Sequence, residues 1–160
     1  MDIRVGNGID VHAFGVGTEI TLCGVKIPFN KSLIGHSDAD VGLHAIADSI
    51  FGALGLGDIG FWFPPTDQKW KNANSEIFLQ KATEMAILMK YKICNIDTTF
   101  ICEKPKIGPY REEMRQRVSD IAKINLNRIS IKATTSERLG FTGREEGILC
   151  QSTCSLLKND

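Results

Sequence analysis

The sequence predicts an α+β domain, a two-layer sandwich with helices on one face of a mixed β-sheet. Three observations carry that expectation. Apolar residues make up 42% of the 160-residue chain and charged residues 24%, enough for a packed core and too apolar for a disordered or collagen-like chain. Hydrophobic patterns follow the coarse order β-β-α-α-β-α-β-β, which segregates poorly into βαβ units. No low-complexity tract, charge block, linker or internal repeat divides the chain, so 1–160 reads as a single domain.

Met1–Val11 and Glu19–Pro28 read as two strands flanking the turn-rich Ala13–Thr18. From Asp38 to about Leu56, Val41, Ala45, Ile46, Ile50 and Ala53 recur at helical spacing, with Ser37 or Asp38 placed to cap the start. Gly52, Gly55, Gly57 and Gly60 then open a loop. Its apolar Phe61-Trp62-Phe63 run suits a lid, a partner surface or a core plug. A second helix runs from the cap-like Ser75 to about Lys90, with Ile77, Phe78, Ala82, Met85, Ala86 and Met89 as its core stripe. Ile96–Glu103 is strand-like, and Pro109 to about Ile124 forms a third helix. Its Tyr110–Arg117 segment alternates in charge sign and reads as a solvated face. Arg128–Thr135 and Gly147–Leu157 complete the strands.

Composition narrows the function classes. Nineteen Lys+Arg balance nineteen Asp+Glu, so no global field draws the protein to nucleic acid or to an anionic membrane. The uncharged apolar stretch Ser49–Gly57 falls far short of the roughly 20 residues that cross a bilayer. The N-terminus lacks the basic and apolar regions of a signal peptide. Cys23, Cys94, Cys102, Cys150 and Cys154 are odd in number and hold no C-x-x-C pair, which points to reduced core thiols. The expectation is a soluble cytoplasmic protein, or a plastid one if a transit peptide was removed.

The three histidines, His12, His36 and His44, all lie in the first third of the chain, each close to a carboxylate. Asp10 and His12 are two apart on a strand and share a face, with Val11 turned toward the core. His44 lies on the first helix with Asp40 and Asp48 four residues to either side. Two His and one carboxylate with a vacant fourth position is the pattern of a catalytic zinc. Asp40 or Asp48 would then orient a ligating imidazole from behind. The same residues are equally compatible with an exposed Asp-x-His and a satisfied helical His. A second cluster, Lys132–Arg144, carries three consecutive hydroxyls, Glu137, two glycines and further basic residues. It suits phosphate groups and a bridging divalent ion, or is a polar connection between strands. His36–Asp40 offers donors at a helix start, or simply caps it.

Four segments occur in order: G-x-D-V-H-A-F at Gly8–Phe14, H-S-D-A-D-V-x-x-H at His36–His44, L-G-D-I-G at Leu56–Gly60 and K-A-T-T-S-E-R-L-G-F-T-G-R-x-E-G at Lys132–Gly147. Together they resemble the 2-C-methyl-D-erythritol 2,4-cyclodiphosphate synthase family of the non-mevalonate isoprenoid pathway, over essentially the whole chain. The resemblance implies a homotrimer with three active sites between neighbours. It implies one zinc per subunit on Asp10, His12 and His44, and Mg²⁺ or Mn²⁺ on the substrate diphosphate at Glu137. His36 and Thr135 match positions that steady the transition state, with Ser37, Thr134 and Ser136 beside the phosphates. Asp58, Ile59 and Gly60 match contacts to the ribose and substrate, and Phe63, Pro64, Pro65, Thr66 and Asp67 match the loop lining the polyol. Cys102, Glu103, Lys104, Pro105, Lys106, Ile107 and Gly108 match the segment that recognises cytidine from the adjacent subunit. Phe141 and Arg144 match residues around a threefold-axis cavity able to hold an isoprenoid diphosphate. Many members carry Asp where this chain has Pro65, which bears on the polyol contact there; Ala39 often corresponds to Gly.

The reaction so implied is intramolecular. The 2-phosphate of 4-diphosphocytidyl-2-C-methyl-D-erythritol 2-phosphate attacks the β-phosphorus and expels CMP. Two other readings fit the residues: a zinc hydrolase with Asp40 or Asp48 as its base, and a non-catalytic trimeric nucleotide-binding module.

Overall fold

A computed structural model describes residues 1–159. Its elements in chain order are β1 (Ile3–Gly15), β2 (Glu19–Leu22), β3 (Val25–Pro28), β4 (Ser32–Leu33), α1 (Val41–Leu54), α2 (Ile59–Trp62), α3 (Glu76–Leu88), β5 (Tyr91–Ile101), α4 (Arg111–Ala122), β6 (Ile129–Thr134), α5 (Gly140–Gly143) and β7 (Gly147–Lys158). Five strands form one sheet in the order β4-β1-β7-β5-β6. It is mixed, as expected: β5 and β6 run parallel, and the other neighbours are antiparallel.

Glu19–Pro28 is a hairpin and not one strand. Leu22 pairs with Val25 across a two-residue turn, and its central residues Cys23 and Gly24 have φ of 49° and 75°. That left-handed pair matches the twist of antiparallel strands, and Gly24 adopts it without a Cβ penalty. β5 starts at Tyr91, earlier than the apolar pattern indicated, because its first half lies beside the end of β7. A 3-10 turn at Gly108–Tyr110 precedes α4.

Alternation along the strands separates two faces. In β7, Ile148, Cys150, Cys154 and Leu156 are fully buried beneath the helices. Phe51, Leu43, Ile46 and Ile50 of α1 join them, each worth about 1.5–3 kcal/mol of burial. On the opposite face, Ile3, Val5, Ile9 and Val11 of β1 are 60%, 62%, 59% and 46% exposed. Val11 therefore points away from the core, contrary to the sequence expectation. The helix-facing side of β1 begins instead with Gly6 and Gly8, where a Cβ would stand 1.9 Å from the Ser49 carbonyl and 2.0 Å from that of Ala45. Two absent side chains let the backbones of β1 and α1 touch. Asp10 and His12 continue that face, directly against the start of the helix.

Among the described residues no helix is long and apolar enough to cross a membrane. The five cysteines are free; four are buried and Cys94 is half-buried.

Candidate active site

The site is anchored by Asp40, the N-cap of α1. Its carboxylate accepts from the N–H groups of Gly42 (3.1 Å) and Leu43 (3.0 Å) in the first helical turn. It also accepts from Cys23 (2.8 Å) and Gly24 (2.7 Å) in the β2–β3 turn. Burial pushes this carboxyl up to about 6, even with those donors pointing at it. The cap is thus Asp40, and not Ser37 or Asp38. With its oxygens on four backbone N–H groups, Asp40 orients no imidazole. Asp48 does not either: it accepts from Ile59 N–H at 2.7 Å, tying α1 to α2. Burial raises Asp48 to about 6, with Asp58 and Asp10 adding to the shift.

Fixing the start of α1 fixes His44, which lies in its first turns and is 5% exposed. His44 Nδ1 lies 2.9 Å from Asp10 Oδ2 and 3.3 Å from His12 Nε2; His12 Nε2 lies 3.0 Å from the same Asp10 oxygen. One ligand atom from each residue therefore converges on one point. A tetrahedral ion with bonds near 2.0–2.2 Å separates its ligands by about 3.3 Å, so the three atoms stand close to the edges such an ion requires. Burial pushes the Asp10 carboxyl up, but hydrogen bonds and charge from His12 and His44 prevail and bring it down to about 2. Burial alone would lower His12; Asp10 outweighs it and raises the imidazole above its ordinary value.

The backing of the two imidazoles comes from groups the sequence reading missed. His12 Nδ1 lies 2.7 Å from the Ile34 carbonyl. His44 Nε2 lies 2.8 Å from Ser75 Oγ and 3.1 Å from Ser37 Oγ. Ser75 in turn donates its hydroxyl to Asp38, and its N–H reaches the other Asp38 oxygen at 3.1 Å. Ile34 and Ser75 are far in sequence from the rings they back, so no spacing rule finds them; Ser37 is in view from the sequence, but as a cap or a phosphate contact.

Many of the expected site residues line two separate cavities of the chain, and the rest lie outside both. The first, about 210 Å³, holds Asp10, His12 and His44 together with His36, Ser37, Ile59, Gly60, Phe63 and Pro65; Trp70 and Phe78 complete it. The Phe63 ring packs on Trp70 at 4.8 Å and Phe78 at 4.6 Å, between centroids. The second, about 290 Å³, is lined by Cys102, Pro105, Lys106, Ile107 and Gly108 with Thr134 and Thr135. Asp58 caps α2 through Phe61 N–H at 2.9 Å, and Asp67 pairs with Lys69 at 3.0 Å. Pro64 and Thr66 are exposed loop residues outside both cavities. Glu103 accepts from the Arg138 N–H at 3.0 Å, while Lys104 approaches Glu145 at 3.8 Å. Ser136 donates to the Leu139 carbonyl at 2.8 Å. Arg144 pairs with Glu146 at 2.9 Å, and Phe141 is 36% exposed.

Residues 3–157 match the model of the YgbB family. The chain belongs to the YgbB family. A curated relative from Roseobacter denitrificans, 2-C-methyl-D-erythritol 2,4-cyclodiphosphate synthase, is 58% identical over 99% of both chains. The bifunctional enzyme IspD/IspF of Paracoccus denitrificans is 59% identical, and this chain spans 42% of its length. Among solved YgbB-like structures, the bifunctional IspDF from Campylobacter jejuni superposes with a TM-score of 0.95 at 40% identity, covering 99% of this chain and 43% of that one. IspF from Plasmodium falciparum in complex with CDP gives 0.88 at 37% identity, covering 99% and 97%. The α+β architecture and mixed sheet are those of this family.

Proposed function

We propose that the chain converts 4-diphosphocytidyl-2-C-methyl-D-erythritol 2-phosphate to 2-C-methyl-D-erythritol 2,4-cyclodiphosphate and CMP, in isoprenoid precursor synthesis. The observation that carries the proposal is the convergence of Asp10, His12 and His44 in a cavity, in a chain so similar to a synthase of that name. Two nitrogens and one carboxylate oxygen with room for a fourth ligand suit zinc, and Asp10, His12 and His44 would hold it. When bound, such an ion supplies a Lewis acid that draws charge from a phosphate oxygen.

The chain's own residues answer the remaining demands of the reaction. An oxygen of the 2-phosphate bonds to the β-phosphorus while the bond from that phosphorus to the bridging oxygen breaks, and CMP leaves with the electron pair. The nucleophile is already an anion, so no general base is required. The need is to hold negative groups together in line. His36 and Ser37 at the first cavity and Thr135 at the second are placed in this reading beside the phosphates, His36 and Thr135 steadying the transition state. Glu137 is exposed and in no ion pair among the described residues, open to a Mg²⁺ or Mn²⁺ on the diphosphate. The hydrolase reading loses support, because four backbone N–H groups take up the Asp40 carboxylate and Asp48 is tied through one oxygen to Ile59 N–H.

The two cavities motivate the assembly. A substrate with a polyol end and a cytidine end needs both, and in one chain they are separate. We place the first cavity of one subunit against the Cys102–Gly108 segment of its neighbour, in a homotrimer. The apolar open face of β1 supplies a surface for that contact. Phe141 and Arg144 are assigned to an axial cavity taking an isoprenoid diphosphate. The free, buried thiols and the bacterial relatives support a cytoplasmic setting.

Phosphorus NMR of the protein with substrate and Mg²⁺, before and after zinc removal, tests the proposal. Metal-dependent CMP with a cyclic diphosphate is the expected result. CMP beside a linear phosphate would establish a hydrolase instead, and no turnover by folded, metal-loaded protein would leave a binding module.

A further inference from the structure

We propose that Asp38 and Ser75 are positioning residues that set the tautomer of His44, keeping the proton on Nε2 and a lone pair on Nδ1, toward Asp10 and His12. The inference rests on reading Asp10, His12 and His44 as a metal site.

The argument is a count of protons. Ser75 Oγ has one hydrogen and donates it to the Asp38 carboxylate. Toward His44 Nε2, 2.8 Å away, the hydroxyl oxygen is therefore left as an acceptor, and Nε2 must carry the hydrogen. Nδ1 faces a competing acceptor, the Asp10 carboxylate at 2.9 Å. Without a partner behind the ring, the proton would settle between Nδ1 and Asp10, where it blocks ligation. Ser37 Oγ accepts from Ala39 N–H at 3.2 Å and lies 3.1 Å from Nε2 and 3.4 Å from Ser75 Oγ; with its hydrogen turned to the Ser75 oxygen, it too is left to accept from Nε2.

Ser75 bears a second mark of this duty. It occupies the N-cap position of α3, where a serine hydroxyl ordinarily accepts from the first turn, yet it makes no such bond. The cap contact falls to Asn74, whose Oδ1 accepts from Glu76 N–H at 2.9 Å. The Ser75 side chain is fully buried and serves the imidazole. Asp38 is held in turn, its N–H donating to the Ala73 carbonyl at 3.1 Å.

The substitution Asp38→Asn separates this role from a structural one. An asparagine whose oxygen keeps the Ser75 N–H presents its NH₂ group to Ser75 Oγ. The serine proton then turns toward His44 Nε2, and the imidazole proton moves to Nδ1. The test is ¹⁵N NMR of the His44 ring in metal-free protein, with Zn²⁺ affinity measured by chelator competition. In the unmodified protein Nε2–H should dominate; in D38N Nδ1–H should dominate, with affinity lowered about 10–100-fold. Ser75→Ala should weaken Zn²⁺ binding and Ser75→Thr restore it. Asn74→Ala, which strips the cap of α3 without touching the ring, should lower the melting temperature and leave tautomer and affinity unchanged.

Nδ1–H dominance in the unmodified protein overturns the proposal, as does unchanged affinity in both D38N and S75A. If D38N does not fold, the unmodified spectrum and the S75A/S75T pair decide. Failure of the unmodified protein to bind Zn²⁺ refutes the metal-site reading itself, while the ring spectrum still decides the tautomer.

Discussion

Replacing Gly8 with alanine tests whether the contact between β1 and α1 sets the geometry of the site. The new Cβ would stand 2.0 Å from the Ala45 carbonyl oxygen and 2.8 Å from Ser49 N, while real Cβ contacts stay at 3.0 Å or beyond, so α1 must retreat by about 1 Å. Ala45 follows His44 and Gly8 lies two residues before Asp10, so the shift falls on the pair now 2.9 Å apart. The resulting separation, roughly 3.9 Å, exceeds the ~3.3 Å ligand spacing of a tetrahedral ion. Overpacking of this kind costs ~1–3 kcal/mol, a drop of ~2–12 °C in melting temperature for a chain of this size. Metal affinity should fall by at least about tenfold. Calorimetric melting and a zinc titration of G8A measure both. Gly52→Ala is the control: its Cβ meets nothing closer than Asn7 O at 3.6 Å, and alanine should stabilise the helix by ~0.5–1 kcal/mol. If G8A melts and binds zinc like the unmodified protein, close backbone approach is not what positions the ligands.

Other outcomes follow from the same structure. His44→Ala or Asp10→Ala should remove the metal and nearly all CMP release, measured by metal analysis and the phosphorus NMR assay; retained metal with full turnover would contradict the assignment. Asp40→Ala leaves four backbone N–H groups without their acceptor and should cost about 3 kcal/mol in urea unfolding. Metal-free protein should lose stability as pH rises from about 6 toward 8. His12 is raised above 6.5, so its pairing with Asp10 contributes fully below 6.5 and fades through the raised value. The carboxyls of Asp40 and Asp48, raised from 3.8 to about 6, lower stability earlier, as pH rises from about 4 to 6, and add no slope above that. Asp10, lowered to about 2, contributes above 3.8 and fails only as pH falls toward 2. Asp10→Asn should flatten the upper slope in pH-dependent urea midpoints. Ile9→Asp on the open sheet face should convert the proposed trimer to monomers in light scattering; an unchanged trimer mass would place the subunit contact elsewhere.

What the sequence revealed depended on how local the controlling interaction is. The α1 stripe and the Asp10/His12 pair repeat at helix and strand periods, so element type and shared face were readable from spacing. Val11 was misplaced because alternation shows that neighbours oppose each other, but not which side the helices cover. Gly6 and Gly8, flanking apolar residues, were the overlooked sign that a backbone lies against the even-numbered face. The β2–β3 turn was missed although Gly24 signals it, since Cys23 is an unusual residue for φ of 49°. Asp40 was read as an imidazole partner from its helical spacing. Its true role depends on the β2–β3 turn folding back onto it, a tertiary event. The Asp38–Ser75–His44 chain is of the same kind, linking residues that no window contains together.

The pairing of the first long strand with the last has an architectural consequence. Ile3 lies opposite Leu157, and the Lys158 N–H donates to the Asp2 carbonyl at 3.0 Å. Entry and exit of the polypeptide thus share one corner, while Asp10 sits seven strand residues away, ~23 Å along β1 at ~3.3 Å per residue. A tether attached at either residue would leave from that corner and pull on neither β1 nor α1 near the imidazoles. A permuted chain, its old ends spliced by a short glycine-rich bridge and reopened at an exposed loop, should keep the same ligand triangle. Any further unit joined at that corner would hang remote from the ligand triangle.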